Sequence, residues 1–310
     1  MNRVAIETHD LTRSFTAEPA LHQLNLQVGA GEVFGILGPN GAGKTTLIRL
    51  LLGLLLPTSG SGRVLSYDIV RESKAIRARS GVLLQSPGLY DRLSAWQNLD
   101  LFGRIWRMPH RERTRRISEL LVHLGMWERR NEPISDWNRG MQQKLAMARV
   151  LLHRPALLFL DEPTFGLDPA SAAELRQQLA ELAEQEGVTL VITTNNLAEA
   201  EQLCTRIAIL RGGELVATGT PDELRGHSDK QLLEITGHGF TDDVLALLRK
   251  RREVEEIRRG DDVLTVALRD NAQGAPLISL LVESGAEVEE VRRKRPSLES
   301  VYLTLVENHP

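Results

Sequence analysis

This sequence of 310 residues has a single cysteine, no long apolar run and little net charge. Cys204 is the single cysteine, so no disulfide can form within the chain, and a reducing compartment is expected. The longest apolar run, LIRLLLGLLL at 47–56, contains Arg49 and is followed by Pro57. It is too short to span a bilayer and is predicted to be a buried helix. Because the first residues also lack the apolar core of a secretory signal, we expect a chain that does not itself cross a membrane.

Neither positive nor negative charge predominates in the sequence. The 38 Lys and Arg residues nearly balance 41 Asp and Glu, which leaves a net charge of −3 and no indication of nucleic-acid binding. Two basic clusters, at 249–252 and 292–295, are expected on solvated faces, with contact to a partner or to lipid as the alternative.

What is present is an alternation of apolar runs with amphipathic segments, which is typical of an α/β protein with a largely parallel sheet. The strand candidates are EVFGILG, GVLLQ, ALLFLDE, VTLVITT and RIAILRGGELVATG. About the first 35 residues instead alternate apolar and polar positions, which favours an antiparallel flank with one solvated face. Residues from about 93 to 152 are predicted to form a helical insertion.

The polar stretch LRGHSDK suggests a boundary between a larger domain, 1–228, and a smaller one, 229–310. In the smaller domain the pattern predicts the order β-α-β-β-α-β, which indicates a ferredoxin-like α+β fold, with a further helix in PSLESVYLTLVE.

A glycine-rich segment, GPNGAGKTT, follows one predicted strand and precedes a predicted helix, which is the context of a P-loop. Its glycines allow backbone N–H groups to surround phosphate oxygens at a helix N-terminus. Lys44 would pair with β- and γ-phosphate oxygens, and the Thr45 hydroxyl would reach Mg²⁺. The candidate nucleotide-binding residues here are Gly38, Pro39, Asn40, Gly41, Ala42, Gly43, Lys44, Thr45 and Thr46.

The run ALLFLDEP ends a second predicted strand in two acids. Asp161 would contribute its carboxylate to the Mg²⁺ shell, and Glu162 would polarise an attacking water as general base. Two acids at a strand end are a weak signal alone. After a P-loop they predict hydrolysis of a nucleoside triphosphate.

With these motifs the whole chain resembles an ATP-binding subunit of an ABC transporter, of the exporter-type branch with a C-terminal accessory domain. The resemblance implies that Gln85 senses Mg²⁺ from the Q-loop, that Asp168 lies in the D-loop, and that Phe15 stacks on adenine. It also implies a signature helix at SDWNRGMQQKLAMARVLLHRP, in which the nucleotide-contacting positions are Asn138, Arg139, Gly140 and Met141.

In such proteins two ATPase units face each other, and each ATP lies between the P-loop of one and the signature of the other. The resemblance therefore implies ATP and Mg²⁺ as cofactors and a second ATPase subunit, either a copy or a relative of this chain. It also implies a separately encoded multi-span permease, and a location on the inner face of the cell membrane.

Two positions depart from the family pattern. Asn138 stands where the signature usually has Ser, and Asn195 stands where a switch histidine usually contacts the γ-phosphate. Asn195 would still donate from its amide, or it would merely cap the helix that follows. Two functions are therefore weighed: an active exporter ATPase, and a nucleotide-binding, weakly hydrolytic regulatory subunit of an asymmetric pair. Because Glu162 is kept, the first is favoured.

Overall fold

The computed structural model describes residues 3–15, 18–226, 231–260, 262–269, 272–294, 298–299 and 301–302. Its backbone packs into two compact units, Met1–Thr220 and Pro221–Pro310. The boundary suggested by the sequence, between 228 and 229, lies outside the described residues and stays a prediction. In the described part of the chain, no helix has both the length and the apolar composition needed to span a bilayer.

The first unit is an α/β assembly of two sheets. Its strands are β1 Val4–Ser14, β2 Pro19–Leu24, β3 Gln27–Gly29, β4 Val33–Leu37, β5 Ser59–Val64, β6 Tyr67–Asp68, β7 Ser80–Leu83, β8 Leu157–Asp161, β9 Thr189–Thr194, β10 Arg206–Arg211 and β11 Glu214–Gly219. Its helices are α1 Lys44–Leu51, α2 Ser73–Arg79, α3 Ala95–Ile105, α4 His110–His123, α5 Arg139–Leu151, α6 Pro169–Glu186 and α7 Leu197–Leu203, with a 3₁₀ turn at Ile134–Asp136.

The larger sheet has the order β11-β10-β4-β9-β8-β7, parallel from β10 to β7 and antiparallel between β10 and β11. Every residue of β4, β8 and β9 is buried, as expected for parallel strands covered on both faces. The carboxyl ends of these three strands share one edge of the sheet, where ligands of open α/β sheets bind. The loops after them therefore meet at that edge.

The second sheet and three of the helices agree with the predicted antiparallel flank and helical insertion. Strand β1 pairs antiparallel with β2, β3 and β5, which confirms the antiparallel flank. Helices α3, α4 and α5 lie between β7 and β8 along the chain, which confirms the helical subdomain.

The prediction of a single buried helix over 47–56 is wrong in its second half. Helix α1 ends at Leu51, and Gly53 follows in the left-handed conformation that commonly terminates helices, with φ of 61°. Leu54 and Leu56 beyond it are 58% and 61% exposed. The first half is buried as expected, because Leu47, Ile48, Leu50 and Leu51 pack in the same core cluster as Phe34 and Phe159.

The second unit confirms the ferredoxin-like prediction. After α8 Pro221–Gly226 it runs β12 Gln231–His238, α9 Asp242–Arg249, β13 Val254–Arg259, β14 Val263–Leu268, α10 Ala275–Glu283 and β15 Glu287–Lys294. The sheet is antiparallel with the order β13-β14-β12-β15 and shares an apolar core with α9 and α10. The helix expected in PSLESVYLTLVE falls largely outside the described residues.

Candidate nucleotide site at the strand ends

The loop between β4 and α1 can only be built from glycine at two of its positions. A Cβ on Gly38 would lie 2.2 Å from the Leu210 carbonyl oxygen, because β10 packs directly against the loop. Gly43 precedes α1 with φ of 100°, and a Cβ there would lie 2.6 Å from the Ala20 carbonyl oxygen. These glycines hold the start of α1 against its neighbours, so the loop N–H groups and the helix N-terminus face the same space.

Lys44, the first residue of α1, turns back over the loop. Its Nζ donates to the carbonyl oxygens of Gly38 at 2.6 Å and Pro39 at 3.2 Å, and lies 3.9 Å from Oε1 of Glu162. Burial lowers the pKa of Lys44, while the nearby carboxylates of Glu162 and Asp161 act in the opposite direction. The ammonium group is thus held at the loop, where it can neutralise a phosphate.

Asp161, at the carboxyl end of β8, is 9% exposed and accepts hydrogen bonds from two hydroxyls. Thr45 Oγ1 donates to its Oδ2 at 3.0 Å, and Thr193 Oγ1 donates to its Oδ1. Thr193 was not singled out from the sequence. Together with the amide oxygen of Gln85, the hydroxyl and the carboxylate are the hard oxygen donors that a magnesium ion prefers. In the described residues no group of three or more His, Cys, Asp or Glu could hold a metal ion.

Glu162 is held by its backbone as well as its side chain. Its N–H donates to the Thr193 carbonyl oxygen at 3.0 Å, and its φ of 49° is rare for a residue with a Cβ. Gln85 Nε2 donates to Oε2 of Glu162 at 2.9 Å. Left-handed backbone at a non-glycine residue is typical of functional sites, where neighbouring contacts maintain it.

These groups line one open cavity of about 360 Å³. The lining comprises Ala20, Pro39, Asn40, Gly41, Ala42, Gly43, Lys44, Thr45, Thr46, Gln85, Asp161 and Glu162. Ala20 was not predicted, because no motif in the sequence marks it. It lines the cavity only because β2 contacts the loop between β4 and α1. The P-loop, Gln85 and the two acids, far apart in the sequence, are therefore brought together.

The other candidate residues do not line this cavity. Phe15 is 57% exposed, and the Arg13 guanidinium lies 4.5 Å from its ring centroid. Asn138 and Asp168 are exposed residues that cap α5 and α6. The Asn138 Oδ1 accepts from the Met141 N–H at 2.9 Å.

The N-termini of α5 and α6 lie side by side. A Cβ on Gly140 would lie 2.7 Å from Ser171 Oγ, so the two helices meet closely. The Ser171 hydroxyl and backbone N–H donate to Asp168, and these bonds lower the pKa of that carboxyl. Arg139 stacks on Phe165, with its Cζ 5.4 Å from the ring centroid. The N-terminus of α5 and the exposed Arg139 guanidinium form a surface that favours anions, whereas the N-terminus of α6 is already capped by the Asp168 carboxylate.

Asn195 is exposed, and within the described residues its side chain makes no hydrogen bond. The cap of α7 is Asn196, whose Oδ1 accepts from the Glu199 N–H at 3.2 Å. The interpretation of Asn195 as a helix cap is therefore wrong. Its side chain is available to a ligand at the same sheet edge as Asp161 and Glu162.

Known proteins resemble this chain in sequence and in fold. The family model described as "ABC transporter" matches residues 21–165, and the model "ATP-binding protein DrrA1-3-like, C-terminal domain" matches 219–306. A daunorubicin resistance ATP-binding protein of Streptomyces coeruleorubidus is 36% identical, covering 98% of this chain and 96% of the relative. A bacitracin transport ATP-binding protein of Bacillus licheniformis is 32% identical, covering 97% of each.

Solved structures agree with the sequence relatives. The dimeric ATP-binding cassette MJ0796, in a post-hydrolysis state bound to ADP and phosphate, superposes on this chain with a TM-score of 0.63 at 28% identity. The match covers 69% of this chain and 98% of that one. The chain therefore belongs to the ABC transporter family, as one of its ATP-binding proteins.

Proposed function

We propose that this chain binds and hydrolyses ATP with Mg²⁺ at an interface between two ATPase subunits, and so drives export through a separate membrane permease. The observation that carries the proposal is the convergence of Lys44, Asp161, Glu162 and Gln85 on one cavity beside the P-loop. ATP binding and hydrolysis follow from the family. Export is supported by the names of the two relatives, which concern daunorubicin resistance and bacitracin transport.

In this proposal, the binding of phosphate, the binding of magnesium and the activation of water are assigned to different residues that line the cavity. The loop N–H groups and Lys44 bind and orient the phosphates, and charge neutralisation there lowers the barrier to phosphoryl transfer. Thr45, Asp161 and Gln85 would hold the magnesium ion, which neutralises charge on the phosphates when bound. Glu162 would accept the proton of the attacking water, and Gln85, already hydrogen-bonded to it, would orient its carboxylate.

The residues that do not line the cavity support a second subunit. Asn138 and Arg139 lie at the exposed N-terminus of α5, which is suited to phosphate, and Asp168 caps the neighbouring α6. None of the three lines the cavity beside this chain's own P-loop. In a head-to-tail pair they would meet the triphosphate bound to the other subunit, together with Gly140 and Met141. The permease, and a place on the inner face of the membrane, belong to this proposal.

The weakly hydrolytic regulatory subunit is not favoured. A subunit that had lost hydrolysis would be expected to lack the base or the metal ligand, and here both side chains are in place and hydrogen-bonded. Asn195 remains the one position at which a slower rate is expected.

The proposal is tested by steady-state ATP hydrolysis of the full-length chain, co-purified with its membrane partner. Glu162→Gln should lower kcat by about 10²–10⁴, because it removes the general base, while a fluorescent ATP analogue still binds. Glu174→Gln, an exposed glutamate paired with Lys144, is the matched control and should hydrolyse ATP at the original rate. Hydrolysis that persists in Glu162→Gln, or that is absent from the unmodified protein, would overturn the proposal.

A further inference from the structure

Glu199 is a buried carboxylate to which the proposed mechanism gives no role. It is the third residue of α7 and is 2% exposed. The Thr164 hydroxyl donates to its Oε1 at 2.7 Å, and the Thr194 hydroxyl donates to its Oε2 at 2.6 Å. A buried carboxylate is costly unless it is hydrogen-bonded, so these two hydroxyls account for its presence.

One hydroxyl comes from the loop after β8, which carries Glu162, and the other comes from the last residue of β9, which leads into Asn195. Thr164 lies two residues after Glu162, the proposed base, and Thr194 directly precedes Asn195. The segments are separated by about thirty residues, yet Glu199 binds one of them with each oxygen. A single carboxylate thus joins the loop that carries Glu162, the proposed base, to the end of β9, next to Asn195, the proposed γ-phosphate contact.

Helix capping does not explain the arrangement. A glutamate at the third helical position commonly accepts a hydrogen bond from the backbone N–H of the cap residue. Here the N–H of the cap, Asn196, donates instead to Thr194 Oγ1 at 3.0 Å. Both oxygens of Glu199 are therefore left to bind Thr164 and Thr194.

The segment after β8 is also joined to the end of β9 through the backbone, in a conformation that needs support. The Glu162 N–H donates to the Thr193 carbonyl oxygen at 3.0 Å while Glu162 has a left-handed φ of 49°. Such a conformation persists only where surrounding contacts maintain it. The bond from Thr164 to Glu199 is one such contact, placed just beyond the strained residue.

We infer that Glu199 is a positioning residue: through Thr164 and Thr194 it sets the distance between Glu162 and Asn195, and hence between the base and the γ-phosphate. The inference rests on the proposed function, since it assigns a role within that site. Glu199 touches no reacting atom in this arrangement. Its loss should therefore lower kcat while leaving ATP binding to the P-loop nearly unchanged.

The decisive comparison is Thr164→Val against Thr164→Ser, measured on the full-length chain with its membrane partner. Valine has the shape of threonine without the hydroxyl, whereas serine keeps the hydroxyl. Thr164→Val should lower kcat about tenfold to a hundredfold, the size expected when a catalytic group is slightly misplaced, with KM for ATP changed less than about twofold. Thr164→Ser should retain most of the rate. Glu199→Gln should resemble Thr164→Val, and the double variant should be no slower than Glu199→Gln, because the two residues share one contact.

Thr8→Val controls for a general loss of stability. Thr8 is 2% exposed in β1, and its hydroxyl donates to the Leu24 carbonyl oxygen and accepts from the Leu26 N–H, both at 2.9 Å. It should lower the melting temperature and leave kcat unchanged. The inference is wrong if Thr164→Val and Thr164→Ser hydrolyse ATP equally well, or if Thr8→Val loses as much rate as Thr164→Val. Absence of hydrolysis in the unmodified protein, or its persistence in Glu162→Gln, would instead reject the proposed function.

Discussion

The adjacent residues Asn195 and Asn196 should respond differently to substitution by alanine, one in the rate of ATP hydrolysis and the other in stability. Asn196 Oδ1 caps α7 by accepting from the Glu199 N–H, whereas Asn195 is exposed and, among the described residues, makes no side-chain hydrogen bond. Asn196→Ala is therefore expected to affect stability. Asn195→Ala is expected to affect hydrolysis, because its amide is the group available to the γ-phosphate.

The sizes of the two effects follow from these contacts. Loss of an Asn cap costs about 1 kcal/mol of the free energy of unfolding. In a unit of about 220 residues that corresponds to a melting temperature lower by about 2–4 °C. Asn195 is exposed and its side chain makes no hydrogen bond within the described part of the chain, so the effect of Asn195→Ala on stability should stay within about 0.5 kcal/mol. Loss of one preorganised donor at the transition state lowers kcat by about 10².

The assay measures thermal unfolding and steady-state ATP hydrolysis on the same preparations of each variant. Asn195→His, which restores the family's usual residue, should raise kcat without changing the melting temperature, since the position is exposed. The reasoning fails if Asn195→Ala melts as early as Asn196→Ala. It also fails if Asn195→Ala hydrolyses ATP at the original rate.

Two further predictions concern other parts of the first unit. Gly140→Ala should cost about 1 kcal/mol in urea unfolding, because its Cβ would lie 2.7 Å from Ser171 Oγ and would turn that hydroxyl away from Asp168, a loss that the better helix propensity of alanine offsets only in part. In a Ser171→Ala background, where this oxygen is absent, the same substitution should cost less. If Gly140→Ala is as stable as the original chain, the close contact of α5 with α6 is wrong. Burial lowers the pKa of His153 from 6.5, so the unfolded chain binds the proton first and stability falls as the pH drops below 6.5. His153→Phe should flatten that fall in a series of melting temperatures, whereas the exposed His123→Gln should not; an unchanged slope in His153→Phe would contradict the assignment.

Sequence patterns were sufficient where the structure is set by local composition. Strands β4, β8 and β9 are buried on both faces, so their apolar runs were continuous and visible. Strand β5 was not anticipated, because SGSGRV has the composition of a loop. It is a strand because β1 pairs with it, with Ile6 opposite Val64, and tertiary pairing outweighs its low propensity.

The residues of the candidate site could likewise be predicted from the sequence only where they lie in short motifs. The P-loop, Asp161 and Glu162 are short contiguous motifs whose flanking strands and helix are part of the signal. The contact of Glu199 with Thr164 joins segments that meet only in the folded sheet, and no spacing rule predicts it. The choice between Asn195 and Asn196 as helix cap depends on a one-residue boundary, which sequence periodicity does not resolve.

The two departures from the family pattern therefore have different consequences. At position 138 the usual serine and the asparagine found here are both good helix caps, and the Asn138 Oδ1 does accept from the Met141 N–H. The start of α5 is preserved, so its backbone N–H groups can still meet a phosphate. At position 195 the replacement gives up a ring that can carry a positive charge, and no intramolecular hydrogen bond of the described residues compensates for it. Any deficit in hydrolysis should therefore be repaired by Asn195→His and not by Asn138→Ser.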